Sequence, residues 1–291
     1  ALLNITQLTV LPQVGGTING KGQVTFADGG GLSLETTIQA VPTDAIASLY
    51  NIPIPEPIQI GDFNSTIDVF GNFDDIQAAV QWSLPNGTYP SQGNVLYGDQ
   101  TVRVRNTTIQ APQGTVAADA NAFLNQGIWD ANVSVDGVDI QPFLAQLEET
   151  PIQGQGVLSS DLELGGNFTQ LTPEAIAIKG TATLAAAEVA LNGTPILDRG
   201  DWVTDFQWTG QDLVVQKFAA PGVTADGVIA TNLQTPVTAA SAIRQLNLNV
   251  AVEPYDLNRL QAFVPENIQA QIQQQVGSEE RRVGKECRSR W

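Results

Sequence analysis

The chain has 291 residues with 30 acidic and 13 basic side chains, a net charge of −17, one Cys, no His and no Met. That balance argues against nucleic acid, because neutralising phosphates needs clustered Lys and Arg, and against lying flat on an anionic bilayer. Without His, and with its single Cys at Cys287, the chain lacks the groups for Ser-His-Asp or Cys-His catalysis, for the usual zinc sites and for a disulfide framework.

In chain order, Ala1–Asn4 is already strand-like, with no charged n-region and no apolar run of spanning length, so the chain reads as an internal stretch of a longer protein. Gly15–Lys21 nearly matches the phosphate-binding GxxxxGK loop. Gly22 replaces the required Ser or Thr, and the strand-like Gln23–Phe26 stands where a helix must open, so Gly-rich turns between strands are expected instead. Leu34, Thr36, Ile38 and Ala40 alternate as one strand face. Asp44 follows as the N-cap of a short helix carrying Ile46, Leu49 and Tyr50, and Pro-rich Asn51–Pro57 reads as a stiff connection. Asp62, Asn64, Thr66 and Asp68 have calcium-loop spacing, but Ile67 and Phe73 occupy the positions of the loop's Gly and Glu, which leaves a polar strand face. Val102 and Val104 alternate with Arg103 and Arg105. Trp129, Ala131, Val133 and Val135 form a second copy of the first strand, and Asp139 caps a helix with Ile140, Phe143, Leu144 and Leu147. Leu162 with Leu164, then Trp202, Phe206 and Trp208, then Leu213 with Val215 give further period-2 faces. Leu246, Leu248, Val250 and Val252 are the third copy, and Asp256 heads a helix with Leu257, Leu260 and Val264; another helical piece is expected around Pro265–Gln275.

The strand-then-aspartate unit thus occurs three times, and the first two units stay in register at an offset of 95, matching Gly61 to Gly156 and Gly71-Asn72-Phe73 to Gly166-Asn167-Phe168. Units that share one strand phase complete each other's core. The divisions expected are 1–75, 76–170 and 171–277. Ser278–Trp291 carries 8 charges in 14 residues, resembles a translated sequencing adapter and is set apart; without it 8 basic and 27 acidic residues remain, a net charge of −19. Seven Asn-x-Ser/Thr sequons (Asn4, Asn64, Asn86, Asn106, Asn132, Asn167, Asn192) are read as chance in a chain rich in Asn and Thr.

The pattern W-x-A-x-V-x-V-x-G-V over Trp129–Ile140 resembles the periplasmic repeats of the TamB family, especially cyanobacterial forms and their chloroplast-envelope counterpart. Pro151–Phe168, Leu171–Ile178, Phe206–Gln211 running on to Pro221-Gly222, and Leu246–Val252 with Tyr255-Asp256-Leu257 look like the same family, so the similarity covers most of Leu34–Ala270. The resemblance implies an all-β, elongated, taco-like groove of mainly antiparallel strands with an apolar concave face and a few short capped helices. It further implies a periplasmic protein, its parent anchored in the inner membrane, that carries phospholipid acyl chains between membranes. It is also linked to outer-membrane protein assembly beside a TamA- or BamA-type barrel. No cofactor and no enzymatic activity are expected.

From the residues alone, one apolar face per strand requires either that the sheet curls on itself or that the face stays exposed for a ligand. The expected lining is Val102, Val104, Trp129, Val133, Leu162, Leu164, Phe206, Trp208, Leu213, Val215, Leu246, Leu248 and Val250. Two other classes stay open: a repetitive extracellular adhesin or surface-layer domain, which needs a closed core and recurrent calcium loops, and a β-helix polysaccharide enzyme, which needs converging carboxylates. One expectation is already testable. Ending the chain at Gly277 should leave the thermal melt within about a degree of the full chain's, since 278–291 has no apolar periodicity to pack; a clear drop would make the tail a structural element.

Overall fold

The computed structural model describes residues 1–26, 29–54, 58–144, 152–168, 172–191, 194–195, 199–231 and 243–252. The order is β1 (Leu2–Val10), β2 (Thr17–Thr25), β3 (Gly31–Pro42), helix α1 (Thr43–Leu49), β4 (Asp62–Asn72), β5 (Asp75–Leu84), β6 (Ser91–Gly98), β7 (Thr101–Ala111), β8 (Gly114–Phe123) and β9 (Ile128–Asp139). There follow helix α2 (Gln141–Leu144), β10 (Ile152–Asn167), a 3₁₀ turn at Pro173–Ala175, β11 (Ile176–Leu191), β12 (Thr194–Pro195), β13 (Gly200–Trp208), β14 (Asp212–Ala220), β15 (Val223–Thr231) and β16 (Ile243–Val252). Fifteen strands form one open antiparallel sheet whose spatial order is the chain order, and β12 pairs with β11 alone. Apart from β12, every strand pairs with the next one in the chain, and most are joined by the short Gly, Asn and Asp turns that favour this arrangement. The expected division at 75/76 falls at the start of β5, and the sheet runs through it.

Four bulges share one construction. On β3, β7, β9 and β11 two residues face one on the next strand, and the second of the two has left-handed backbone: Ala40 (φ 49°), Asn106 (φ 52°), Gly137 (φ 66°) and Ala186 (φ 50°). The N–H of each donates to the side chain facing the bulge: Ala40 to Asn64 Oδ1 at 2.9 Å, Asn106 to Asp119 Oδ1 at 2.8 Å, Gly137 to Ser159 Oγ at 3.2 Å, Ala186 to Asp201 Oδ1 at 2.9 Å. Left-handed backbone costs a non-Gly residue roughly 1–2 kcal/mol. The captured N–H, which a bulge would otherwise leave unpaired, offsets that cost. Each bulge also changes which residue comes next on the apolar side. Ala40, expected to continue Leu34, Thr36 and Ile38, sits in the bulge, and Val41 takes its place opposite Phe63. Val41, Val138 and Ala187, the residues directly after three of these bulges, are 5%, 5% and 0% exposed and are among the few buried apolar residues described.

The caps differ from expectation. Asp44 is not the N-cap of α1: Pro42 holds that position without a side-chain hydrogen bond. The Asp44 carboxylate instead accepts from the N–H of Ile60 and of Gly61, both at 2.9 Å, closing the connection from α1 to β4. Asp139 does serve a helix start, accepting from Gln141 N at 2.9 Å, and its other oxygen takes Gln113 Nε2 at 3.0 Å. Asp256, its helix, Leu147 and Pro265–Gln275 lie outside the described residues. On α1 only Ala47 is buried; Leu49 and Tyr50 point to solvent, so the expected apolar stripe is not what docks this helix. On α2, Phe143 stacks on Tyr89 of the β5–β6 connection with ring centroids 5.9 Å apart. α1 follows β3 and α2 follows β9, two strands running the same way, so both helices sit at one rim of the sheet.

Two outcomes follow. Asp201→Ala should cost about 1 kcal/mol in urea unfolding, by stranding the Ala186 N–H, while Asp201→Asn keeps an acceptor, as Asn64 does in β4, and should cost much less. The backbone N–H of Ile60, then that of Gly61, hold the Asp44 carboxyl below its ordinary value. Its contribution is therefore complete above the unfolded pKa of about 4 and is lost as pH falls through the lower folded value. Amide protection at Ile60 and Gly61, measured relative to the intrinsic exchange rate at each pH, should fall on acidification in the unsubstituted chain, whereas in Asp44→Ala it should be low at every pH.

Candidate functional site: one apolar face across fifteen strands

Residues directly paired in an antiparallel sheet point to the same side. Starting at Leu8, the register passes through Gly20, Thr36, Ile67, Val80, Val95, Val104, Ala120, Ala131, Leu164, Ile178, Trp208, Leu213 and Ile229 to Leu246. One unbroken row crosses the whole sheet, with Thr36 its single hydroxyl side chain. At 4.7–4.9 Å per strand it extends roughly 65 Å. A parallel row on the same face runs Val133, Leu162, Gly180, Phe206, Val215, Gly227, Leu248. Val102 pairs with Ala122 and Ala122 with Trp129 in a third, and Val250 reaches the face through Ala225 and Phe218. Every residue named from sequence as lining therefore lies on one side of the sheet.

The reverse side is polar. Lys21 pairs with Glu35 at 2.9 Å and Lys179 with Glu163 at 2.8 Å, all exposed. The Glu35 carboxylate raises the pKa of Lys21, first through their hydrogen bond and then through its charge. Gln23 donates to Asn4, Thr9 to Asn19 and Asn249 to Asp226 across neighbouring strands.

The apolar face has no opposing layer among the described residues, and no large side chain there is fully buried. Its members shield one another instead. On β8, Ala118 and Ala120 on the apolar side are half-buried, while Ala117 just before them, on the polar side, is exposed. Toward the two end strands even this shielding fades, leaving Leu8 53%, Leu246 60% and Val250 55% exposed. Large side chains lie down on glycines of the adjacent strand. A Cβ on Gly166 would meet Trp129 Nε1 at 3.1 Å, one on Gly93 would meet Trp82 Cζ2 at 3.0 Å, and one on Gly180 would meet Leu162 Cδ2 at 2.9 Å. The indole nitrogens of Trp129 and Trp202 and the Thr107 hydroxyl are closed off from solvent without a hydrogen-bond partner. A surface of this kind binds by desolvation and dispersion, and it accepts any apolar chain that lies along it.

Sequence reading missed much of the row: Ile67, Val80, Val95, Ile178 and Ile229 belong to it as fully as the named residues. Their alternation is visible in the sequence, but which side each strand turns inward depends on register. On β8 the face is built from Val116, Ala118, Ala120 and Ala122, whose small side chains give a weak periodic signal.

Comparison with protein-family models, with curated proteins and with solved structures gives no match. Gly166→Val should cost about 1–3 kcal/mol, because the new side chain meets both the Ala175 carbonyl and the Trp129 ring. The displaced indole should red-shift the tryptophan emission, and unchanged emission would contradict this packing.

Proposed function

We propose that this chain is a segment of a periplasm-spanning envelope protein, of the TamB type, whose apolar face carries phospholipid acyl chains between inner and outer membrane. The observation that carries the reading is the apolar row from Leu8 to Leu246, over which no second layer lies among the described residues. Each acyl CH₂ removed from water contributes roughly 0.8 kcal/mol, so a tail lying along part of the row gains affinity without any specific contact. A conduit needs that kind of site, since its cargo must bind and still move on. The likeness of Trp129–Ile140 and Leu246–Val252 to TamB repeats supports the same reading, and with it a role beside a TamA- or BamA-type barrel through other parts of the parent. No catalytic role is proposed.

Neither competing class has an observation in its favour. An adhesin domain stabilised by a closed core would bury large side chains fully, and the described residues hold none. A β-helix winds parallel strands, whereas every described pairing here is antiparallel.

Leu164 and Leu248 lie in the two long rows, five strand positions apart. With the face open to lipid, Leu164→Glu with Leu248→Glu should cost little stability, because the charges stay hydrated, and should interrupt lipid passage. A photo-crosslinker at either position should yield lipid adducts in the cell envelope. Gross unfolding of the double variant together with no adduct would make the face a core and end the proposal.

A further inference from the structure

The polar side of the sheet carries a second feature, independent of the lipid reading. Two open depressions of ≈ 410 Å³ and ≈ 660 Å³ lie along it and meet at Asn106. Register shows that they form one furrow crossing β4 to β11, directly behind the apolar row that holds Trp82, Val133 and Leu162. Its length over those eight strands is about 34 Å.

Two ladders of side chains wall it. Over β4–β6 one ladder is Thr66, Gln81, Asn94 and the other is Asn64, Ser83, Gln92. Farther along, Asp119, Asn132 and Glu163 continue the first, and Ser134 and Asp161 the second. Elsewhere on this face polar neighbours satisfy each other, as Asn4 with Gln23 and Asn121 with Asp130 do at 2.9 and 2.7 Å, and in the β9–β10 part of the furrow Ser134 donates to Asp161 at 2.9 Å. Over β4–β6, by contrast, Thr66, Gln81, Ser83, Gln92 and Asn94 stand opposite one another and their side chains make no hydrogen bond. The cation nearest this stretch, Arg105, is folded back onto the Val104 and Ala120 carbonyls and the Asn121 amide.

We propose that this furrow binds a neutral oligosaccharide chain lying across the strands. Amide and hydroxyl groups offer donors and acceptors together, which is what ring hydroxyls and N-acetyl groups require. The furrow is uncharged over β4–β6 and acidic farther along, with Lys179 already held by Glu163, so polyanions are disfavoured. Extended peptides recognise sheets through free backbone groups at an edge, and in mid-sheet those groups are spent on the ladder. A furrow of repeated polar pairs, one per strand, suits a polymer of repeated rings better than a single small molecule.

The test is calorimetric titration of the full chain with N-acetylglucosamine hexamer, with cellohexaose and with the corresponding dimers. At least one hexamer should bind, more tightly than its dimer. Gln81→Ala with Asn94→Ala should weaken binding at least tenfold at unchanged circular dichroism, and Gln23→Ala, outside the furrow, should not alter it. No binding of either hexamer, equal affinity for dimer and hexamer, or full affinity in the double variant would each overturn the assignment.

Discussion

Everything in this molecule depends on the phase of side-chain alternation being held through fourteen successive strand pairings. The side-chain period of a strand is two, so a slip of one residue at any pairing would turn every later apolar set to the polar side. The row from Leu8 to Leu246 exists because no such slip accumulates. The bulges are where the phase is most at risk, since each adds one residue to one strand. Ala40, Asn106, Gly137 and Ala186 absorb the extra residue in left-handed backbone, and the side chain opposite fixes each N–H in place. The residue after the bulge then resumes the apolar side, and in Val41, Val138 and Ala187 it does so as one of the most buried positions described.

Stability in such a sheet is spread thinly. Among the described residues no opposing layer covers the apolar face and no large side chain is fully buried, so the sheet is held by its backbone ladder and by cross-strand neighbours that shelter one another. Trp129 over Gly166 and Trp82 over Gly93 show how: the ring covers the neighbouring strand's backbone instead of reaching toward a second layer. Side chains that lie flat keep the face both apolar and unobstructed. The same design leaves the two faces chemically separate, a greasy one that gains by covering itself with hydrocarbon and a hydrated one whose amides remain free to bind.

The fold class was legible because alternation is a local property: Val102 and Val104, or Leu246, Leu248 and Val250, announce a one-faced strand within a few residues. That the named residues share a single face was also within reach, since each strand was read for its own apolar side and a meander must turn those sides alike. What the residues could not show locally was the bulge. Ala40 continues an apolar alternation on paper, and only the partner Asn64 on the next strand, 24 residues away, marks it as the break. Asp44 failed for a related reason. Its spacing ahead of an apolar set reads as a cap, yet its carboxylate is taken by Ile60 and Gly61, a contact of the return connection and not of the helix. The alanines of β8 carry too little hydrophobicity to advertise a face at all.

The central claim is that the face bearing Trp82, Trp129, Trp202 and Trp208 is open to acyl chains in the intact molecule. Fluorescence quenching by phospholipids brominated in the acyl chain addresses it directly, measured in a Trp291→Phe chain so that only these indoles emit. The account predicts strong quenching by tail-brominated lipid and its loss when Leu164 and Leu248 are both replaced by Glu. Emission indifferent to brominated tails, at lipid concentrations that saturate other apolar surfaces, would contradict it.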